Sequence, residues 1–292
     1  MLYPARSLMP SDVPSAMELS TAANWNQTSE DWRRVMQLSI EGCRCIDDVG
    51  KIIATTTLLP YGKRLAWIGM VLTRPEYRRQ GLARRLMKDA IAKAELDGIR
   101  TLKLDATDEG RPLYESLGFV VEEAVERWGR DEELDLAKVK PLADTCAIKA
   151  CSDDAHIPGN LFAQDEKAFG VSRKKLLEVL ANSGRVNATS NGYVLSRSGR
   201  TSRYLGPCLI TSEAEAELLI TTHLWGSSKM DKHAGSKPCS WYWDLLPANL
   251  GAVRCAQKVG FTRRRILWRM RRGEMIDNNH AMVYAIAGFE LG

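Results

Sequence analysis

The chain has 292 residues, 45% of them apolar and 26% charged, with a formal net charge of +5. That length suits two domains of ordinary size, and the composition is that of a soluble globular protein. The charge is too mild to argue for nucleic acid, and no apolar run approaches the roughly 20 residues that span a bilayer, so neither partner is expected.

The first residues, MLYPARSLMPSDVPSAMEL, lack the basic-then-apolar order of a signal peptide, which reads as a cytoplasmic protein. The seven cysteines (Cys43, Cys45, Cys146, Cys151, Cys208, Cys239 and Cys255) are odd in number and scattered. They read as reduced core thiols. No histidine has zinc spacing with them, so no metal is expected.

In chain order, residues 12–22 and 29–40 show helical periodicity. The short polar loop between them carries Trp25, Asn26 and Gln27. Residues 43–47, 51–59 and 65–72 read as three strands, with turns at Asp48-Val49-Gly50 and Pro60-Tyr61-Gly62. Residues 82–97 form an amphipathic helix with Leu82, Leu86, Ala90, Ile91 and Ala94 on one face, ended by Gly98. TLKLDAT is a strand, RPLYESLG a short helix stopped by Gly118, and FVVEEAVERW a further strand.

After about residue 138 the pattern restarts. YLGPCLI at 204–210 resembles WIGMVLT at 67–73, and ANLGAVRCAQKVGF at 248–261 resembles EGRPLYESLGF at 109–119. This is the mark of two diverged copies of one fold, 1–138 and 139–292, joined near 136–147. The run TRRRILWRMRRG at 262–273 reads as a strand with a basic edge that blocks further pairing. The apolar last stretch, MVYAIAGFELG, is expected to dock across a domain surface.

The chemistry lies in EYRRQGLARRLM, residues 76–87. A strand leads into a loop and then a helix starting near Gly81. A helix N-terminus offers unpaired N–H groups and partial positive charge, which suit a phosphate. Glycine lets the anion approach the backbone, and the arginines around it add charge. A phosphate or pyrophosphate on the N–H groups of residues 79–84 is the expectation. No Gly-Lys-Ser/Thr follows and no dinucleotide fingerprint is present.

Arg78-Arg79-Gln80-Gly81-Leu82-Ala83 matches an Arg/Gln-x-x-Gly-x-Gly/Ala pattern, and Tyr114-Glu115-Ser116-Leu117-Gly118-Phe119 a Tyr-x-x-x-Gly-Phe pattern, each in its proper strand or helix context. In motif order and spacing, residues 5–130 resemble the GNAT family of N-acetyltransferases. The phrase LDATDEGRPLYESLGF resembles a subgroup with a second, GNAT-like C-terminal domain. The resemblance implies an α/β fold, more strictly α+β: two tandem units, each a mixed, mainly antiparallel twisted sheet flanked by helices.

It also implies acetyl-CoA as cofactor, with CoA as product. The pyrophosphate would sit on Arg79, Gln80, Gly81, Leu82, Ala83 and Arg84, with Arg78 beside it. The pantetheine would run along Met70, Val71 and Leu72, where a bulge splays the strand from its neighbour. A backbone N–H near Val71 would polarise the acetyl carbonyl. Tyr114 stands at the general-acid position, and Asp105, at the end of TLKLD, is the candidate base through water. Glu109 is a weaker candidate. Thr107 replaces an asparagine common in the family. Trp25 and Asn26 border the expected acceptor site, where a tryptophan face suits a ring or a cation.

The second copy departs from the pattern. LITSEAEAE replaces the loop, and Ala256 stands where the tyrosine would be, so that copy is expected to keep the fold without catalysis. The expected activity is acetyl transfer to a primary amine of a small molecule by direct attack in a ternary complex, by a monomer or homodimer. A non-catalytic acyl-CoA-binding scaffold and a protein or peptide N-acetyltransferase are the alternatives. The sequence does not name the acceptor, because fold does not fix substrate.

Overall fold

The computed structural model describes residues 3–131, 156–233 and 240–292. The chain divides into two compact units. One comprises residues 1–123, 268–276 and 289–292, the other residues 124–267 and 277–288. The expected junction at 136–147 lies outside the described residues, as do Cys146, Cys151 and Cys239. The sequence reading assigned residues 268–276 and 289–292 to the second domain, yet they complete the first unit.

The elements of the first repeat are β1 (Ala5–Ser7), α1 (Val13–Ala22), α2 (Ser29–Leu38), β2 (Cys43–Asp48), β3 (Lys51–Tyr61), β4 (Leu65–Thr73), α3 (Leu82–Leu96), β5 (Thr101–Ala106), α4 (Arg111–Glu115) and β6 (Val120–Arg130). The second repeats the order with α5 (Gly159–Phe169), α6 (Lys174–Ser183), β7 (Arg185–Ala188), β8 (Gly192–Arg197), β9 (Arg203–Ile210), α7 (Glu213–His233), β10 (Trp241–Leu245), α8 (Leu250–Lys258) and β11 (Thr262–Gly273). A short strand, β12 (Val283–Ala285), follows.

In the first unit the strands run β1-β2-β3-β4-β5-β11. Only the β4–β5 pair is parallel. The helices form for local reasons. Thr28 caps α2: its hydroxyl accepts from the Asp31 N–H, and the Asp31 carboxylate accepts from the Thr28 N–H at 2.8 Å. Trp32 is fully buried and ties α2 to α1 through its indole N–H on Ser20 Oγ at 3.2 Å. In α3, all five residues of the expected apolar face are buried. They belong to the core with Ile46, Ile53, Leu58, Ala66, Ile68, Leu102, Leu104 and Met270. Trp67 alternates with Ala66 and Ile68 and so points to the opposite face.

In the second unit the order is β6-β10-β9-β8-β7, with β10 parallel to β9. Trp241 and Trp243 share one buried face, and Trp243 meets Phe261 edge-on at 5.4 Å. Two buried polar clusters are paired inside it. Asp165 takes Arg173 and the Tyr193 hydroxyl, while His223 bridges Asn187 Oδ1 and Ser196 Oγ, each at 2.8 Å. No helix of the described residues is long and apolar enough to cross a membrane, and they hold no cluster of potential metal ligands.

The arginine run at 262–273 is not a basic edge. Residues 268–273 pair antiparallel with β5. Arg269, Arg271 and Arg272 reach Asp105, Glu122 and Glu95, and Arg263 and Arg264 reach Glu126 and Asp131. Arginine fits here because carboxylates from the neighbouring strand and from α3 face it.

Candidate active site

The loop between β4 and α3 turns on two left-handed residues. Arg79 has φ +61° and Gly81 φ +80°. A side chain at Arg79 tolerates this backbone at some cost; Gly81 does so freely. The first N–H to close a helical bond is that of Arg85, on the Gly81 carbonyl at 3.0 Å. The N–H groups of Leu82, Ala83 and Arg84 precede it and have no helical acceptor. A Cβ at Gly81 would meet nothing within 4 Å, so the mouth of this cradle is open. Leu82 nevertheless points its side chain into the core beside Ile46, Ile53 and Leu86, which fixes the start of the helix.

Five arginines cluster here, but two serve the fold. Buried Arg74 donates to the Ile52 carbonyl at 2.6 Å and pairs with Glu18, and Arg85 donates to the Tyr3 carbonyl. Arg78, Arg79 and Arg84 are exposed. Arg78 comes within 3.9 Å of Glu109, itself exposed, and Gln80 Nε2 reaches the Glu76 carbonyl at 3.5 Å. The cradle thus presents backbone donors and three solvent-facing guanidinium groups, a set that fits a pyrophosphate.

The strand leading to it is bulged. Thr55 pairs with Leu72 and Thr57 with Gly69, so β4 carries one residue more than β3. The surplus falls at Met70, whose φ is +47° and whose carbonyl accepts from Thr55 Oγ1 at 2.7 Å. On its other side β4 pairs with β5 only from Leu65 to Trp67. Beyond that point the strands part: Leu104, Asp105 and Ala106 are held by Met270, Arg269 and Trp268 of β11. Gly69 to Leu72 therefore border a cleft on the β5 side, with Met70 and Leu72 buried and Val71 half-buried.

Tyr114 comes to this split. It packs in one cluster with Ile68 and Val71 of β4 and Leu104 and Ala106 of β5, edge-on to Phe119 at 6.2 Å. Its hydroxyl makes no hydrogen bond among the described residues. Burial pushes its pKa up to about 12, so the phenol keeps its proton throughout the neutral range. Thr107 does what an asparagine would: its hydroxyl accepts from the Gly110 N–H at 3.2 Å and sets the start of α4.

Asp105 lies at the split on the Trp67 face, but not as a free carboxylate. Its side chain is fully buried and takes both Nε and Nη2 of Arg269, at 2.9 and 3.1 Å. Burial works against the guanidinium charge; Asp105, with Glu123 and Glu122, more than offsets it and raises the Arg269 pKa. Arg269 also stacks on Trp67, 4.7 Å from the ring centroid. Asp105 is thus placed to hold Arg269 and Trp67 in position. The sequence reading missed Arg269, which lay hidden among six arginines.

Of the loop after α1, Trp25 is half-buried and Asn26 buried. Gln27 is buried too, its Nε2 donating to Glu290 Oε2 at 3.1 Å. Glu290 is the second residue missed. Its one sequence signal is that it is the sole charge in MVYAIAGFELG.

The second unit repeats the bulge without the cleft. Val194 pairs with Cys208 and Ser196 with Leu205, so β9 carries one residue more than β8. There β12 pairs with β9, and Ile286 N–H donates to the Asp244 carbonyl on β10. The chain's own backbone therefore fills the gap, and a Cβ on Gly206 would clash with the Ile286 carbonyl at 2.2 Å. Only Thr211 and Ser212 join β9 to α7, against residues 74–81 in the first unit. Ala256 is fully buried in the tyrosine position.

A sequence model of the acetyltransferase (GNAT) family matches residues 14–119. The chain is 31% identical over 179 residues to YitH of Bacillus subtilis (strain 168), described as an uncharacterized N-acetyltransferase. The match covers 59% of this chain and 60% of that relative's length. A candidate acetyltransferase of known structure from Pyrococcus horikoshii superposes over all of this chain and 98% of its own, with a TM-score of 0.81 and 20% identity. A tandem GNAT protein from the clavulanic acid biosynthesis pathway covers 93% of this chain and 98% of its own, with a TM-score of 0.65 and 14% identity. Residues 14–119, which bring cradle, bulge and tyrosine to one place, match the acetyltransferase (GNAT) family.

Proposed function

We infer that the first unit moves an acetyl group from acetyl-CoA to a primary amine of a small molecule, by direct attack in a ternary complex. Acetyl-CoA supplies an activated acyl thioester. The backbone N–H groups of Arg79, Gln80, Gly81, Leu82, Ala83 and Arg84 would hold its pyrophosphate, with Arg78, Arg79 and Arg84 adding charge. Met70, Val71 and Leu72 would line its pantetheine arm, and the Val71 N–H is the donor for the acyl oxygen. Tyr114 keeps a proton on its hydroxyl oxygen for the leaving sulfur. The dry surroundings that raise the tyrosine also favour a neutral thiol over a thiolate.

Asp105 acts in this reading by fixing Arg269 and Trp67. Water, or a group of the acceptor pocket, takes the proton of the amine. Trp25 and Asn26 border the acceptor. The observation that carries the reading is the parting of β4 from β5 at a bulge, next to a left-handed glycine cradle, with Tyr114 packed at the split.

A binding protein without turnover would need the cradle but not an unbonded phenol at the split, which favours the enzyme. The test is thermal unfolding with acetyl-CoA, followed by thiol release with a panel of primary amines. A ligand that binds only the native state must raise the melting temperature. Stabilisation by acetyl-CoA with amine-dependent thiol release is expected. Binding without release from any amine would move the scaffold reading ahead, and no binding would overturn both.

A further inference from the structure

The tyrosine at the split stands on a helix too short to hold itself. α4 has five residues, Arg111–Glu115, against the roughly 12 to 15 below which an isolated helix is marginal in water. The turn before it touches the ring: a Cβ on Gly110 would lie 3.2 Å from Tyr114 Cε2. Where residues 107–110 move, the phenol must move with them. The aim of the hydroxyl is therefore set by whatever fixes this turn.

Trp268 of β11 reaches it from the sheet. Trp268 pairs with Ala106, the last residue of β5, and packs against the cluster that contains Tyr114. Its indole N–H donates to Asp108 Oδ1 at 2.6 Å. Arg111, the first residue of α4, lays its guanidinium over the indole, 5.5 Å from the ring centroid. The same guanidinium donates its Nε to Glu115 Oε1 at 2.7 Å and so spans the helix from first residue to last. One side chain thus engages both the turn and the start of the helix. Asp108 is exposed, and an exposed bond adds little to global stability. Aim is another matter, since a shift of about 1 Å can cost a reaction about a hundredfold.

We propose that Trp268 is the positioning residue for Tyr114: through Asp108 and Arg111 it fixes the turn that sets where the phenol stands at the split. The proposal rests on Tyr114 as the proton donor, inferred above, and adds the residue that aims it. Its effect belongs to kcat and not to the binding of acetyl-CoA, because the cradle and the bulge lie on other segments.

The test follows thiol release from acetyl-CoA with the panel of primary amines, n-butylamine and benzylamine among them, the fastest being used throughout. Asp108→Ala and Trp268→Phe remove the bond from its two ends. Each should lower kcat about tenfold and leave the KM for acetyl-CoA, and the rise in melting temperature that acetyl-CoA gives, unchanged. Asp108→Asn keeps an oxygen that accepts the indole N–H, so it should recover most of the loss. In a Tyr114→Phe background Asp108→Ala should cost nothing further, since no hydroxyl is left to aim. If Trp268→Phe does not fold, Asp108→Ala, a change at the surface, decides alone. Undiminished kcat in the deciding variant, no recovery in Asp108→Asn, or an equal further loss in the Tyr114→Phe background overturns the positioning alone. No wild-type turnover with any amine, or a Tyr114→Phe variant as fast as wild type, sinks the proton-donor reading instead, and this role falls with it.

Discussion

Replacing Gly81 by glutamate separates the cradle's role in folding from its role in binding. A Cβ at Gly81 meets no atom within 4 Å, so the substitution brings no clash. The folding cost is that of a side chain at φ +80°, about 1 kcal/mol. In a unit of this size that lowers the melting temperature by about 2–4 °C. The binding cost is larger. A carboxylate about 6 Å from a bound pyrophosphate, at an effective dielectric of about 20, repels each phosphate charge by about 3 kcal/mol. One such charge already weakens acetyl-CoA about a hundredfold. Gly81→Asn is the control, since asparagine tolerates the left-handed region and carries no charge. Titration calorimetry with acetyl-CoA should show Gly81→Asn near wild type and Gly81→Glu about a hundredfold weaker. Most of that loss should return at about 1 M salt, where the screening length is about 3 Å. If Gly81→Glu bound acetyl-CoA as well as Gly81→Asn at low salt, no anion would sit on this loop and the assignment would fall.

Tyr114→Phe should lower kcat about a hundredfold or more, leave acetyl-CoA affinity unchanged and barely alter stability, because the hydroxyl has no partner to lose. With Tyr114 at about 12, wild-type kcat should show no alkaline limb between pH 7 and about pH 10.5; a limb there that Tyr114→Phe abolishes would contradict the burial argument. Asp105→Asn should destabilise by about 3–5 kcal/mol in urea, since it strips a buried guanidinium of its main counter-charge; the double variant with Arg269→Met should recover much of that, and additive losses would deny the pairing. In the second unit, burial foremost, with Arg185 and Arg203, pushes His223 down to about 3. Its folded pKa lies below the unfolded 6.5, so its contribution is complete above pH 6.5 and lost as pH falls toward 3; about 3 kcal/mol should be gone at pH 4.5. Urea titrations of wild type and His223→Gln at both pH values check this, and equal pH dependence in the two would refute it.

What the sequence disclosed was local. Gly81, the apolar face of α3 and the Tyr-x-x-x-Gly-Phe helix each depend on residues within a turn or two, so their spacing carries the signal. The bulge at Met70 came only through the family resemblance, since an extra residue in one strand has no pattern of its own. What stayed hidden was contact across the chain. Arg269 meets Asp105 from 164 residues away, and Glu290 meets Gln27 from 263. Neither end announces the other, and a run of arginines reads alike whether it faces water or a row of carboxylates. The second repeat likewise betrayed its missing tyrosine and its altered loop sequence, but not that β12 lies in the gap beside β9.

The strand that closes the first unit has a consequence for synthesis. Residues 268–273, which pair with β5, leave the ribosome roughly 140 residues after the rest of that unit's main body. At about 5 to 20 residues per second, β5 waits on the order of 10 s with one edge bare and Asp105 without its arginine. An exposed strand edge is a template for pairing with other chains. The nascent first half is therefore the aggregation-sensitive stage of this protein's life, and its need for chaperones should end when Arg269 arrives.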